Sequence, residues 1–264
     1  MVVDMKQRTI SAIFLLIILV GSLVISSKLF GIVMLIVAIL GFNEFFDIKY
    51  DRKKELMLVR VIGIISLMLI TLNNLFYNVS LNALILLPLL VLSIPIVVYN
   101  DNKLYNINDM MYVLGIIYFL GLSFGNIIIL RDTNIERCIF IFLIAFITDT
   151  YAYIGGSLIG RHKLSTISPK KTVEGSLVGT IMGVYIGSVY YYNVVSHTSL
   201  FKVIVLCLVL TVLSEVGDLI FSSIKRNFNK KDYSNLIPGH GGVLDRFDSV
   251  IYVSLGLSLI LSLF

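Results

Sequence analysis

The sequence contains little charge, no tryptophan, four prolines and two cysteines. Charged residues make up 14% of its 264 residues, whereas about 25% is usual for a soluble domain. Hydrophobic residues make up 58%, and the mean hydropathy is +0.95. The shortage of charge therefore excludes an ordinary soluble domain and predicts an integral membrane protein.

The cysteines and the basic residues exclude two further kinds of site. Cys138 and Cys207 lie far apart in apolar runs without a ligand motif, so we interpret them as small buried hydrophobic residues, with neither disulfide nor metal. The net charge of +5 comes from lysines and arginines that cluster in the loops between apolar runs. Membrane orientation explains these charges, so we expect no nucleic-acid partner.

Nine apolar runs approach the length that crosses a bilayer, which is roughly 20 helical residues. They cover about residues 9–27, 29–47, 57–77, 81–99, 110–130, 137–158, 175–195, 199–221 and 248–264. The sequence therefore predicts an all-α fold, a polytopic integral membrane helical bundle of about nine transmembrane helices. Residues 1–136 would form the N-terminal transmembrane helices, about five spans, and residues 137–264 a catalytic transmembrane region.

The basic residues predict the orientation of these helices. With the N-terminus in the cytoplasm, the 21 lysines and arginines lie inside, apart from Arg60 within the third run and four residues outside. Those four are Lys28, Arg131, Arg137 and Lys202. Because basic loops favour the cytoplasmic side, we expect a multi-pass protein of the cell inner (cytoplasmic) membrane, with its polar loops on the cytoplasmic side.

A polar stretch at residues 223–248 separates the last two apolar runs. Two carboxylate pairs have a spacing of three residues, which places each pair on one helix face: Glu215 with Asp218 before the stretch, and Asp245 with Asp248 at its end. The stretch carries five basic residues: Lys225, Arg226, Lys230, Lys231 and Arg246. Carboxylates hold hard cations and basic side chains neutralise phosphate, so the stretch predicts a site for a magnesium-bound polyphosphate.

The glycines at residues 238–242 support the same interpretation. Pro-Gly-His-Gly-Gly lets backbone N–H groups approach an anion without a Cβ in the way. The alternative is an ordinary turn on a solvated cytoplasmic loop, because Pro-Gly and Gly-Gly are common turn sequences. The order of the surrounding residues favours the site.

The segment Ser223–Asp248 resembles the signature of phosphatidate cytidylyltransferases, also called CDP-diacylglycerol synthases. It reads Ser-x-Lys-Arg-x4-Lys-Asp-x-Ser-x2-Ile-Pro-x-His-Gly-Gly-x2-Asp-Arg-x-Asp, without a departure from the family pattern. The resemblance extends to Asp149-Thr150-x-Ala152-Tyr153-x2-Gly156-x3-Gly160 and to Ser168-Pro169-Lys170-Lys171-Thr172-x-Glu174-Gly175. Residues 137–264 match the family closely, whereas residues 1–136 match it only as a set of apolar spans.

The resemblance implies an enzyme that transfers a cytidylyl group from CTP to phosphatidate in phospholipid biosynthesis, with CDP-diacylglycerol and pyrophosphate as products. The expected catalytic residues are Asp218, Asp245, Lys225, Arg226, His240 and Arg246. The expected substrate-binding residues are Lys170, Lys171, Ser223, Lys231, Gly241 and Gly242. The expected cofactor is Mg²⁺, with a second cation left open, and its ligands are Asp218 and Asp245, followed by Glu215, Asp248 and Asp149.

Three polar residues within the apolar runs allow more than one interpretation. A carboxylate at Asp149 is costly inside a span unless it is paired or bound to metal, so a hydrogen bond to a neighbouring helix is the alternative to a site role. Glu44 and Asp47 lie at the cytoplasmic end of the second run, where we interpret them as solvated interfacial residues.

The seventh run carries a glycine at every fourth position, at Gly175, Gly179, Gly183 and Gly187. Such a ridge without side chains lets another helix approach closely. The partner helix would belong to this chain or to a second copy, and a homodimer is therefore one expectation.

Two other functions fit parts of the sequence. One is a CTP-dependent transferase acting on another lipid phosphate or on a lipid alcohol. The other is a multispan transporter, which is disfavoured because the charges gather at the cytoplasmic ends of the last spans and not at the bilayer midplane.

Overall fold

The computed structural model describes residues 5–51, 54–73, 75, 79–99, 101, 103–237 and 241–263. Within these residues the chain forms nine α-helices and no β-strand, so the predicted all-α class is confirmed. The helices are α1 Met5–Ile25, α2 Ser27–Tyr50, α3 Met57–Leu72, α4 Leu81–Tyr99, α5 Ile107–Thr133, α6 Ile135–Ile159, α7 Val173–Tyr190, α8 Leu200–Asn227 and α9 Leu244–Leu263. A 3-10 turn at Lys54–Leu56 precedes α3, and a π-helical turn at Tyr191–Val195 follows α7.

Six helical stretches among the described residues are long and apolar enough to cross a membrane. They are Ser27–Tyr50, Lys54–Leu72, Leu81–Tyr99, Ile107–Thr133, Ile135–Ile159 and Leu200–Asn227. The chain is therefore a membrane protein. Glycines lower the hydropathy of α7, and three charged residues at its start lower that of α9.

Side-chain caps explain where several helices begin. Ser26 Oγ accepts a hydrogen bond from Leu29 N at 3.1 Å at the start of α2. At the start of α6, Asn134 Oδ1 accepts one from Arg137 N at 2.8 Å. Such caps satisfy N–H groups that have no partner within the helix. Short polar residues between apolar runs thus separate one helix from the next.

The chain divides into two compact units. Unit 1 consists of Met1–Ile129 with Asp232–Leu244, and unit 2 consists of Leu130–Lys231 with Asp245–Phe264. The segment 232–244 thus belongs to unit 1, although the residues on both sides of it belong to unit 2. The division into residues 1–136 and 137–264 is a functional one and stays a prediction.

Glycines let the helices of unit 1 pack closely. A Cβ on Gly63 of α3 would lie 2.4 Å from the Phe42 ring of α2. Likewise, a Cβ on Gly121 of α5 would lie 2.8 Å from Ile70 of α3. Real Cβ atoms do not approach other atoms this closely, so a larger residue at either position would force the helices apart.

The glycine ridge of α7 packs inside unit 2. A Cβ on Gly179 would lie 2.7 Å from the carbonyl oxygen of Thr148 in α6, and one on Gly183 would lie 2.6 Å from the Thr148 hydroxyl and from Thr211 of α8. The ridge therefore contacts helices of its own chain. A homodimer accordingly remains a prediction that does not depend on this ridge.

Candidate active site

Three of the predicted metal ligands in unit 2, on three helices, lie within electrostatic range of a fourth, Asp218. Asp149 of α6 lies within electrostatic range of Glu215 and Asp218 of α8. Asp248 of α9 lies within electrostatic range of Asp149 and Asp218. We call these four residues the carboxylate cluster. Because like charges repel at short range, nearby cations would stabilise such a cluster.

One cation near the cluster is the side chain of Lys171, which lies in the loop before α7. Its ammonium group forms an ion pair with Asp218 Oδ2. Ser222 Oγ donates to Asp218 Oδ1 at 3.3 Å. The fold thus brings a predicted substrate-binding lysine into contact with a predicted metal ligand.

A second lysine and carboxylate pair joins α8 to α9. Lys225 Nζ donates to Asp245 Oδ1 at 2.6 Å, and the two side chains are 11% and 8% exposed. Lys225 lies in the last turn of α8 and Asp245 in the first turn of α9, so each charge also suits the dipole of its helix. Removal of either partner would break a buried ion pair, which is usually destabilising.

Glu215 is held by the hydroxyl groups of α7. Ser176 Oγ donates to Glu215 Oε2, and Thr180 Oγ1 donates to Oε1 at 3.3 Å. Both carboxylate oxygens thus have protein partners, and the side chain is buried. These contacts fix α8 against α7, and the assignment of Glu215 as a metal ligand stays a prediction.

Ser249 of α9 contacts the other two members of the cluster. Its Oγ donates to Asp149 Oδ1 at 3.5 Å, and its backbone N–H donates to Asp248 Oδ1 at 2.9 Å. Asp248 is buried, whereas Asp149 is exposed. The hydrogen bond from a neighbouring helix to Asp149 is therefore present, and the nearby acids leave its site role open as well.

The donor chemistry of the cluster suits Mg²⁺, although its members are spread out. Within the described residues no three His, Cys, Asp or Glu side chains converge closely enough to hold a metal ion. Counting Asp245, five carboxylates of unit 2 lie near two lysines, Lys171 and Lys225. This excess of hard, anionic oxygen suits a divalent cation in ligand type, and the expected Mg²⁺ stays a prediction.

The remaining predicted site residues of unit 2 lie at its surface. They are Lys170, Ser223, Arg226, Lys231 and Arg246, and all are exposed. Arg226 Nη1 donates to the Lys230 carbonyl at 2.7 Å, and Lys230 N donates to the Lys225 carbonyl at 2.9 Å. These bonds close the end of α8, where Asn229 takes the left-handed conformation with φ 55°. Several cations are thus presented beside the carboxylates, as recognition of a polyphosphate requires.

The loop at residues 160–172, which carries Lys170 and Lys171, is ordered by Glu174 of α7. Glu174 Oε2 accepts hydrogen bonds from Arg161 N at 3.0 Å and His162 N at 3.2 Å, and Oε1 lies 2.5 Å from His162 Nδ1. These bonds, led by the Arg161 N–H, lower the pKa of Glu174 from 4.5 to about 2. The loop is therefore held while Glu174 is ionised.

The glycine-rich part of the signature lies in unit 1. Gly241 has a positive φ of 83°, which favours glycine, and its carbonyl accepts a hydrogen bond from Ile237 N at 2.9 Å. The predicted catalytic residue His240 lies outside the described residues, as do its neighbours at 238 and 239.

Glu44 corrects one interpretation of the sequence. Glu44 is only 5% exposed, so the prediction of a solvated interfacial residue is wrong for this position. It contacts Ser234, Val243 and Leu244 of the signature segment. The sequence could have indicated this burial, because a carboxylate inside an apolar run needs hydrogen-bond or charge partners. The same argument was applied to Asp149. Asp47, one turn later, pairs with Arg60.

The lysines and carboxylates at the helix ends of this membrane protein are the side chains that would suit a metal-bound phosphate group. Residues 6–264 match the model of the Cytidylyltransferase family, and the chain therefore belongs to that family. The resemblance seen in the signature is confirmed.

Curated relatives extend this similarity over most of the chain. The phosphatidate cytidylyltransferase of Staphylococcus haemolyticus is 30% identical over 257 residues, covering 94% of this chain and 96% of the relative. Those of Staphylococcus saprophyticus and Staphylococcus aureus are 31% identical over 252 residues, with the same coverage. The similarity thus includes the N-terminal helices, which the sequence alone matched only as apolar spans.

Proposed function

We propose that this chain transfers the cytidylyl group of CTP to phosphatidate, forming CDP-diacylglycerol and pyrophosphate in phospholipid biosynthesis. The observation that carries the proposal is the pairing of signature residues in unit 2. Lys171 contacts Asp218, and Lys225 contacts Asp245. Similarity to phosphatidate cytidylyltransferases over 94% of the chain supports the substrates.

The reaction joins two anions, and the charges of the site suit that task. A phosphate oxygen of the lipid forms a bond to the α-phosphorus of CTP, and the bond from that phosphorus to the leaving pyrophosphate breaks. Exposed Lys170, Arg226 and Arg246 would bind phosphate oxygens and offset the repulsion between the substrates. The lipid phosphate is already an oxyanion near neutral pH, so the reaction needs no general base.

The proposal includes Mg²⁺ held first by Asp218 and Asp245, with Asp248, Asp149 and Glu215 as further ligands. When bound, Mg²⁺ supplies positive charge that stabilises the departing pyrophosphate. Lys171 and Lys225 contact the same two carboxylates and therefore orient them for any cation that shares the site. The excess of carboxylates leaves room for a second cation.

The proposal also places the site at the cytoplasmic face of the inner membrane, with about nine spans and the N-terminus inside. The distribution of basic residues supports this orientation. A cysteine introduced at Lys230 should react with an impermeant maleimide only from the cytoplasmic side, and one at Lys202 only from the outer side. Because Cys138 and Cys207 are both buried, we expect little labelling of the native cysteines in this experiment.

The direct test uses purified protein, phosphatidate and Mg²⁺ with each of the four nucleoside triphosphates. We expect pyrophosphate and CDP-diacylglycerol with CTP, and little product with the other three. Turnover of a lipid alcohol, or of a different lipid phosphate in preference to phosphatidate, would redirect the assignment to another CTP-dependent transferase. The absence of liponucleotide with CTP would contradict the proposal. Light scattering of the same sample tests the predicted homodimer.

A further inference from the structure

A buried carboxylate of α2 holds the part of the signature that lies in unit 1. Glu44 Oε1 accepts hydrogen bonds from Ser234 Oγ at 2.6 Å and from Val243 N at 2.8 Å. Its Oε2 accepts one from Leu244 N at 2.9 Å. Burial of a carboxylate is unfavourable without hydrogen-bond partners. Here three donors from a single segment provide them.

The same carboxylate explains one glycine of the segment. A Cβ on Gly242 would lie 2.6 Å from Glu44 Oε1 and 2.7 Å from Oε2. Glu44 could withdraw only by giving up hydrogen bonds to the segment. Gly241, by contrast, is a glycine because of its positive φ. The two adjacent glycines are therefore needed for different reasons. Gly241 is needed for its backbone conformation, and Gly242 leaves space for the Glu44 carboxylate.

These contacts also determine where α9 begins. Leu244 is the first residue of α9, and N–H groups at a helix N-terminus have no partner within the helix. Glu44 accepts from this N–H and brings a negative charge to the positive end of the helix dipole. Asp245 is the next residue of α9, and Asp248 follows one turn later. Leu244, the residue directly before Asp245, is thus bonded to α2 within unit 1.

We propose that Glu44 is a positioning residue for the cytidylyl-transfer reaction. Its carboxylate fixes Ser234, Val243 and the first residue of α9, Leu244, and through this anchored residue it would orient Asp245, which follows directly in the chain. Displacement of reacting groups by about 1 Å can slow an enzyme about 100-fold. The effect on turnover depends on the proposed role of Asp245, whereas the coupling between Glu44 and Gly242 does not.

The first test replaces the charge and keeps the shape. Glu44→Gln puts an amide NH₂ against a backbone N–H, and we expect kcat/KM to fall at least about tenfold. The Mg²⁺ concentration for half-maximal activity should also rise, which loss of folded protein alone would not cause. The matched control is Asp47→Asn, which breaks the ion pair with Arg60 one turn along the same helix. This control should keep kcat/KM within about twofold of wild type.

The second test is a double-mutant cycle between Glu44 and Gly242. In the wild-type background, Gly242→Ala should lower both kcat/KM and the thermal unfolding midpoint, because the new methyl group displaces the carboxylate. In the Glu44→Ala background that obstacle is gone, and Gly242→Ala should lower the unfolding midpoint by much less than it does in the wild-type background. If Glu44→Ala does not fold, Ser234→Ala removes one donor and should reduce the cost of Gly242→Ala in part.

Two results would overturn the positioning role. One is a Glu44→Gln enzyme with the kcat/KM and the Mg²⁺ requirement of wild type. The other is a drop in unfolding midpoint on Gly242→Ala that is equal in both backgrounds, since that would show that the glycine does not make space for Glu44. Wild-type turnover of CTP and phosphatidate, measured in the same series, tests the proposed function separately. The double-mutant cycle between Glu44 and Gly242 can be measured by thermal unfolding even if the protein shows no turnover.

Discussion

Substitution of Asp245 by asparagine should damage both the stability and the activity of this enzyme, for separable reasons. The Lys225 ammonium lies 2.6 Å from Asp245 Oδ1, with side chains only 11% and 8% exposed. Removal of one partner from a buried pair typically costs about 3–5 kcal/mol. Asparagine still offers an oxygen to Lys225, so we expect the lower end, about 3 kcal/mol. On the scale of soluble domains of this size, that lowers Tm by about 6 °C.

The two buried cysteines make the unfolding measurement convenient. A thiol-reactive dye in detergent would report unfolding through the exposure of Cys138 and Cys207, which are both buried in the folded protein. Turnover of CTP and phosphatidate is measured on the same samples. We expect activity to be lost in Asp245→Asn at temperatures well below its unfolding midpoint, because the carboxylate is a proposed metal ligand.

A double variant separates the two effects. Lys225→Met with Asp245→Asn removes both charges, and loss of both partners of a buried ion pair is often neutral for stability. The double variant should therefore regain most of the unfolding midpoint that Asp245→Asn loses, and none of the activity. Lys202→Met at an exposed site is the control and should change stability by less than about 0.5 kcal/mol. The reasoning fails if Asp245→Asn unfolds with the wild-type midpoint or converts phosphatidate at the wild-type rate.

Three further predictions concern the loop at residues 160–172 and the ridge of α7. Lys170→Ala should raise KM for a substrate with a modest loss of kcat, because Lys170 is exposed and a proposed phosphate contact; unchanged KM values for CTP and phosphatidate would contradict this. The loop at residues 160–172 should become sensitive to pepsin as the pH falls from 4.5 toward about 2. The pKa of Glu174 is lowered in the folded protein, so the ionised carboxylate stabilises the loop above this range, and protonation removes that stabilisation. Glu174→Gln should abolish this step. Gly179→Leu should prevent stable packing of α7 against α6, whereas Leu177→Ala, at an exposed position, should leave the unfolding midpoint nearly unchanged.

The helices were predictable because each apolar run is separated from the next by residues that begin or end a helix. The expected runs 81–99 and 137–158 correspond closely to α4 and α6. The glycine ridge was also visible as a pattern, but its partners were not. Gly183 meets Thr148 and Thr211, and no periodicity within α7 identifies residues of other helices.

The polar pairs of the site were beyond prediction for the same reason. The sequence indicated which side chains carry the chemistry, and the fold decides that Lys171 contacts Asp218 and Lys225 contacts Asp245. Glu44 shows the limit most clearly. Its partners Ser234, Val243 and Leu244 are 190 to 200 residues away along the chain. Only the general rule that a carboxylate in an apolar run must have partners pointed to it.

The dependence of the signature on α2 has a consequence for chimeric enzymes. A graft of residues 130–264 onto the N-terminal helices of another membrane protein would transfer every motif of the family and leave behind the acid that accepts from Val243 and Leu244. Such a hybrid would carry the reactive side chains on a helix whose first turn is no longer anchored. Exchange of N-terminal halves among relatives should therefore succeed only where the incoming half supplies a glutamate at the position of Glu44.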